Sequence, residues 1–154
     1  MPIYGRKARL IMKAKLGGKE YTIQFATRPS LKAHILQDIM KTQEMEDISS
    51  MEAVLLETLP KVLLVGLQMH HNDEFGYDYK TNEGYDEQFE KVSDILYGAI
   101  DTNEINCMDL FADMQEEMMT NGFLAQMMES MQRAEVEAQE QEKKKTPSKA
   151  KAKN

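Results

Sequence analysis

Three histidines, one cysteine and several acidic runs are the residues of this 154-residue chain from which chemistry could be built. A zinc site closes three or four His, Cys or carboxylate ligands around the ion. His70 and His71 are adjacent, so on a helix their side chains diverge, and His34 is remote in sequence. With one cysteine and no HExxH, solvated loop histidines are the better account. The run DTNEINCMDLFA from Asp101 begins like a calcium loop, with Asp101 and Asn103 at its first and third positions. Ile105 then takes the fifth position, Asn106 replaces the turn glycine and Ala112 replaces the bidentate glutamate, so solvated acids are expected. The stretch Asp73–Glu87 offers no matching register either.

Nucleophilic catalysis fares no better. Cys107 stands beside Met108 at an expected helix start, with no basic neighbour to activate it, and reads as an inert thiol. GxSxG, P-loop and GxGxxG patterns are absent. Gly17-Gly18 joins two expected strands and leads no helix N-terminus toward a phosphate. The expectation is a binding protein, not an enzyme, with no cofactor and no metal.

Charge is segregated along the chain. Residues 1–32 hold eight Lys/Arg and one acid, residues 33–142 hold five basic and 25 acidic residues, and residues 143–154 hold six lysines and no acid. The middle would repel nucleic acid and anionic lipid, while the two ends could attract either. The basic tail lacks interleaved aromatics for base stacking, so neither nucleic acid nor membrane is the expected partner. The N-terminus is basic and polar without an apolar signal region, and no apolar run reaches bilayer length. With its single cysteine, the chain is expected in the cytosol.

The elements that would position these residues follow from periodicity. In RLIMKAKLGGKEYTIQFA (9–26), Leu10, Met12, Ala14 and Leu16 alternate with polar positions, as do Tyr21, Ile23 and Phe25. Gly17-Gly18 between them predicts a tight β-hairpin with one apolar face, which must pack because a lone hairpin is marginal. Thr27, Pro29 and Ser30 start a helix with Leu31, Ile35, Leu36 and Ile39 on one stripe. Ser49 and Glu52 form an expected capping box for a helix through Val54, Leu55, Leu56 and Leu59. Pro60 either kinks that helix or opens a new one through Val62–Leu67; apolar residues surround nearly its whole circumference, which predicts a central helix. His70 to Gly84 has no apolar period and is expected as a loop. A helical stripe resumes with Tyr85, Phe89, Val92, Leu96 and Ala99. Asn106 caps a helix bearing Leu110, Phe111, Met114 and Met118, Asn121-Gly122 stops it, and a last helix starts at Phe123 and turns polar after Arg133. From Glu135 the charged, low-complexity sequence is expected to be disordered.

Methionine is the unusual residue: 13 in all, seven of them between 108 and 131. Its flexible, polarisable side chain suits surfaces that accept varied apolar partners. Met114 and Met118, in line with Phe111, read first as core fillers. The pairs Met118-Met119 and Met127-Met128 broaden the apolar stripe beyond what packing one helix needs. Met118, Met119, Phe123, Met127, Met128 and Met131 are the set expected to receive a partner's amphipathic helix.

The stretches GGKEYTIQF, LPKVLLVGLQMHH, YDEQFEKVSDIL and EEMMTNGFL, in this order, resemble the tail assembly chaperones of siphophages and related prophages, especially those of Gram-positive hosts. The likeness covers about residues 9–131 and includes the Asn121-Gly122-Phe123 turn. It implies a non-catalytic chaperone that coats the tape measure protein in the host cytoplasm until tail tube subunits displace it, and that is absent from the mature virion. A homo-oligomer is compatible with it. It also implies ribosomal frameshifting near the gene's end, for which Lys143-Lys144-Lys145 could be the slippery run. A small acidic adaptor or nucleic-acid-mimicking inhibitor of a host protein is the alternative. The expected architecture is α+β and mainly helical, with a β-hairpin packed on a small helical bundle in residues 1–134 and a disordered basic tail in 135–154.

Overall fold

In the computed structural model, residues 11–42 and 47–153 are described, with side chains as far as Gln141. Residues 1–10, including Leu10 of the alternating pattern, lie outside the described residues, as do the side chains of the KKKTPSKAKAKN tail. The protein is α+β and mainly helical, a two-stranded antiparallel hairpin packed on a small bundle of helices.

The hairpin pairs β1 (Met12–Leu16) with β2 (Lys19–Ile23) in the register Leu16↔Lys19, Ala14↔Tyr21 and Met12↔Ile23. Gly17 and Gly18 both take positive φ, +63° and +81°, as a two-residue turn between right-twisted strands requires. Ala14, Leu16, Tyr21, Ile23 and, just beyond, Phe25 form the buried face.

A short helix, α1 (Thr27–Lys32), carries Pro29 in its first turn. The single stripe expected through Ile39 is instead divided: His34 sits at φ +58° and separates α1 from α2 (Ile35–Thr42). Leu31 consequently turns to solvent while Ile35 is buried. The next helix, α3 (Ile48–Ala53), is capped by Asp47, whose side chain accepts from Ser50 N–H at 2.9 Å, and not by the expected Ser49–Glu52 box.

Helical dihedrals run on from α3 through a π-turn at Val54–Thr58 into α4 (Leu59–Gly66). The wider turn precedes Pro60, which has no N–H to donate and whose ring would strike the carbonyl four residues back in a regular α-helix. The helix therefore neither stops nor restarts at Pro60. Residues Val62–Leu67 are all buried, so this half is the central element that the sequence predicts. The half before it is not: Leu56 is 61% exposed.

The expected loop after His70 is a correction. Residues 70–75 belong to α5 (Gln68–Phe75), with His71 kinked to φ −129°, ψ 32°. Tertiary anchors hold this helix in place of an apolar stripe. Phe75 is buried, and buried Gln68 donates to Leu64 O and Phe75 O at 3.1 and 2.9 Å. Residues 76–84 do form a connection, closed by Asp78, whose carboxylate accepts from Lys80 and Thr81 N–H. Tyr77 contacts Tyr79 and Tyr85 edge-on there, and burial pushes both Tyr77 and Tyr85 hydroxyls up to about 12.

Helix α6 (Tyr85–Asp101) buries Val92, Ser93, Leu96 and Ala99 on one face. Helix α7 (Cys107–Thr120) starts at Asn106, whose side chain accepts from Met108 and Asp109 N–H at 3.0 Å each. The last helix, α8, spans Gly122–Lys153. Its backbone is helical where the sequence suggests disorder, yet every side chain from Glu129 to Gln141 is exposed, so the segment adds nothing to the core.

Candidate partner-docking surface

The methionine-rich region is built by α7 and α8 and the turn between them. On α7, Leu110, Phe111, Met114 and Met118 recur at helical spacing and close against the core. Asn121 N–H bonds Glu117 O at 3.0 Å to end the helix, and Gly122 at φ +80° redirects the chain, a conformation costly for any residue with a Cβ. The expected stop at Asn121-Gly122 is where the structure places it.

The turn splits the six expected contact residues. Met118 is only 2% exposed and belongs to the core, so it cannot present a surface; it continues the Leu110–Met114 line. Phe123 and Met128 are half-buried, the flank on which the first turns of α8 rest. Met119, Met127 and Met131 are open, at 46%, 47% and 61% exposure. Met127 and Met131, four apart, share one face of α8, which Ala134 and Ala138 extend.

Beyond Met128 the helix leaves the body. Thirteen residues from Glu129 to Gln141 have no buried side chain, a projection of about 20 Å at 1.5 Å per residue. Its exposed charges are mainly acidic (Glu129, Glu135, Glu137 and Glu140), with Arg133 paired to Glu129 at 3.1 Å. An amphipathic helix laid along Met127 and Met131 would meet apolar surface in the middle and negative charge at the sides.

A second exposed apolar group escaped the sequence reading. Ile48, Met51 and Leu56 all face solvent on α3 and the π-turn. The sequence placed Leu56 on an apolar helix with Val54, Leu55 and Leu59 and did not single out Ile48 or Met51; the bundle covers Val54 and Leu59 and leaves these three outside.

The residues considered for chemistry have structural tasks. His71 Nε2 accepts from Thr22 N–H at 2.9 Å and its ring meets Tyr21 edge-on at 5.0 Å. His70 Nε2 bonds Gln24 Oε1 at 2.7 Å. Both lie on α5 and not in the expected loop; His71 is half-buried and fastens β2, whereas His70 is exposed and holds Gln24 just past the strand. Glu104, also unremarked in the sequence, places its carboxylate on Gly17 and Gly18 N–H at 2.6 and 2.9 Å. Cys107 is half-buried at the start of α7. Among the described residues no three His, Cys, Asp or Glu side chains gather as a metal site would require, and no helix is long and apolar enough to cross a membrane.

Comparison with protein-family models, curated proteins and solved structures finds no match to this chain.

Proposed function

We propose that this protein is a non-catalytic tail assembly chaperone of a long-tailed phage, which covers the apolar helices of a tape measure protein in the host cytoplasm until tail tube subunits replace it. The observation that supports this reading is the open face of α8, which starts at Met127 and runs through Met131 into the projecting part of the helix. An isolated helix of this length is marginal in water, so a partner helix lying along it would stabilise both. Methionine adapts to varied apolar partners, and the acidic flanks would keep a coated complex soluble. Met119, Met127 and Met131 are the contacts; Phe123 and Met128 hold the strip in place.

Replacing Met127 and Met131 together by serine tests the assignment. Binding to a helical tape measure segment should fall at least tenfold while the circular dichroism spectrum stays unchanged. Undiminished capture of that segment would sink the role. The protein should also be missing from purified virions, and a longer product should arise by slippage at the codons of Lys143–Lys145.

The exposed acids Asp86, Glu87, Glu90, Asp94 and Asp101 of α6 favour a second reading, an acidic adaptor that binds a basic host protein in place of nucleic acid. Steep loss of binding with salt distinguishes it from the mainly apolar contacts of the chaperone.

A further inference from the structure

The two edges of the hairpin are treated differently. Leu16 and Lys19 flank a two-residue turn and so form a hydrogen-bonded pair; counting back, Lys13 and Lys15 stand opposite Thr22 and Glu20 in non-hydrogen-bonded pairs. Residues in such pairs aim their N–H and C=O groups away from the sister strand. On the β2 side Thr22 N–H reaches His71 and, one residue past the strand, Gln24 N–H reaches Gly66 O at 3.0 Å, while Glu20 N–H beside the turn has no partner among the described residues. On the β1 side the outward N–H groups of Lys13 and Lys15 have no partner among the described residues.

We infer that the free edge of β1 accepts a third strand from an extended partner segment in which acidic residues alternate with apolar ones. Main-chain hydrogen bonds to Lys13 and Lys15 would supply affinity, as in strand addition generally. The side chains set the partner's chemistry. Both lysines are exposed, Lys13 bonding only to Glu20 at 3.7 Å and Lys15 to no acid among the described residues. Acidic residues on the same face of an added strand would sit beside them, a favourable cross-strand pairing. Between those acids, apolar side chains would point to the face on which Ala14 and Leu16 are buried. A second copy of the chain is a poor occupant, because β1 against β1 sets lysines beside lysines.

Edge lysines also serve native sheets as guards against pairing, and the experiment separates the two roles. The full chain, labelled with 15N, is titrated with a capped Glu-Val-Glu-Val-Glu-Val-Glu peptide and with its Lys-for-Glu counterpart. The acidic peptide should shift the Lys13 and Lys15 amide signals, and the basic one should not. Lys13→Glu with Lys15→Glu should weaken the acidic peptide at least tenfold and admit the basic one. Lys15→Pro removes an outward donor and no ladder bond, and should abolish binding with the helical signal intact. If neither peptide moves those amides, the lysines are guards and the inference fails; it fails too if both bind alike or the charge reversal changes nothing.

Discussion

At Thr22 a backbone N–H of β2 faces a helix, and its acceptor is an imidazole. His71 can accept there only through an unprotonated Nε2, and its departure from helical dihedrals brings the ring to the strand. Removing the ring leaves a half-buried donor without a partner, which costs about 1–3 kcal/mol. His71→Ala should therefore lower the unfolding free energy measured in urea by that amount and raise the exchange rate of the Thr22 amide. The Glu104 carboxylate does comparable work on the turn glycines, across 87 positions of sequence. Neither role was legible beforehand. The local pattern around His71 is polar and aperiodic, and nothing near Glu104 signals the hairpin it reaches. A side chain whose partner lies 49 or 87 positions away has no sequence period to betray it.

Helix boundaries show a related division. Where apolar residues recur at the period of the element, as in the hairpin, α6 and α7, the sequence alone places the buried face. Where a helix is fixed by contact, as in α5, periodicity misses it. At the end of α4 the hairpin packs as closely: a Cβ on Gly66 would lie 2.7 Å from Ile23 Cγ2 and 3.1 Å from the Phe25 ring. The N-cap of α3 gives an element-scale prediction. The backbone hydrogen bond from Ser50, then that residue's side chain, holds the Asp47 carboxyl below the usual aspartate range. Since its folded pKa lies under its unfolded one, the cap's contribution is present above the ordinary aspartate pKa and disappears as pH falls through the lowered value. In an NMR titration the Ser50 amide should report a midpoint beneath that of free aspartate. Asp47→Asn, which keeps an acceptor oxygen, should retain the cap and lose this pH response.

For the whole molecule, the bundle decides which methionines hold it together and which face outward. Met114→Ala opens a cavity in the core and should cost about 2–5 kcal/mol in urea unfolding. Met131→Ser changes a side chain exposed on a projecting helix and should shift stability by no more than about 0.5 kcal/mol. Equal losses at the two positions would contradict this division. The sequence by itself determined the hairpin with its apolar face, the Pro60-containing apolar helix, the amphipathic α6 and α7 and the turn at Gly122, because each is written in nearest-neighbour chemistry and periodicity. Tertiary structure alone decided that Met119 is surface, that His71 serves a strand, that Leu56 lies outside, and that α8 leaves the body after Met128. Burial is a property of where elements meet, and a residue off the main apolar stripe carries no sign of whether it will be covered.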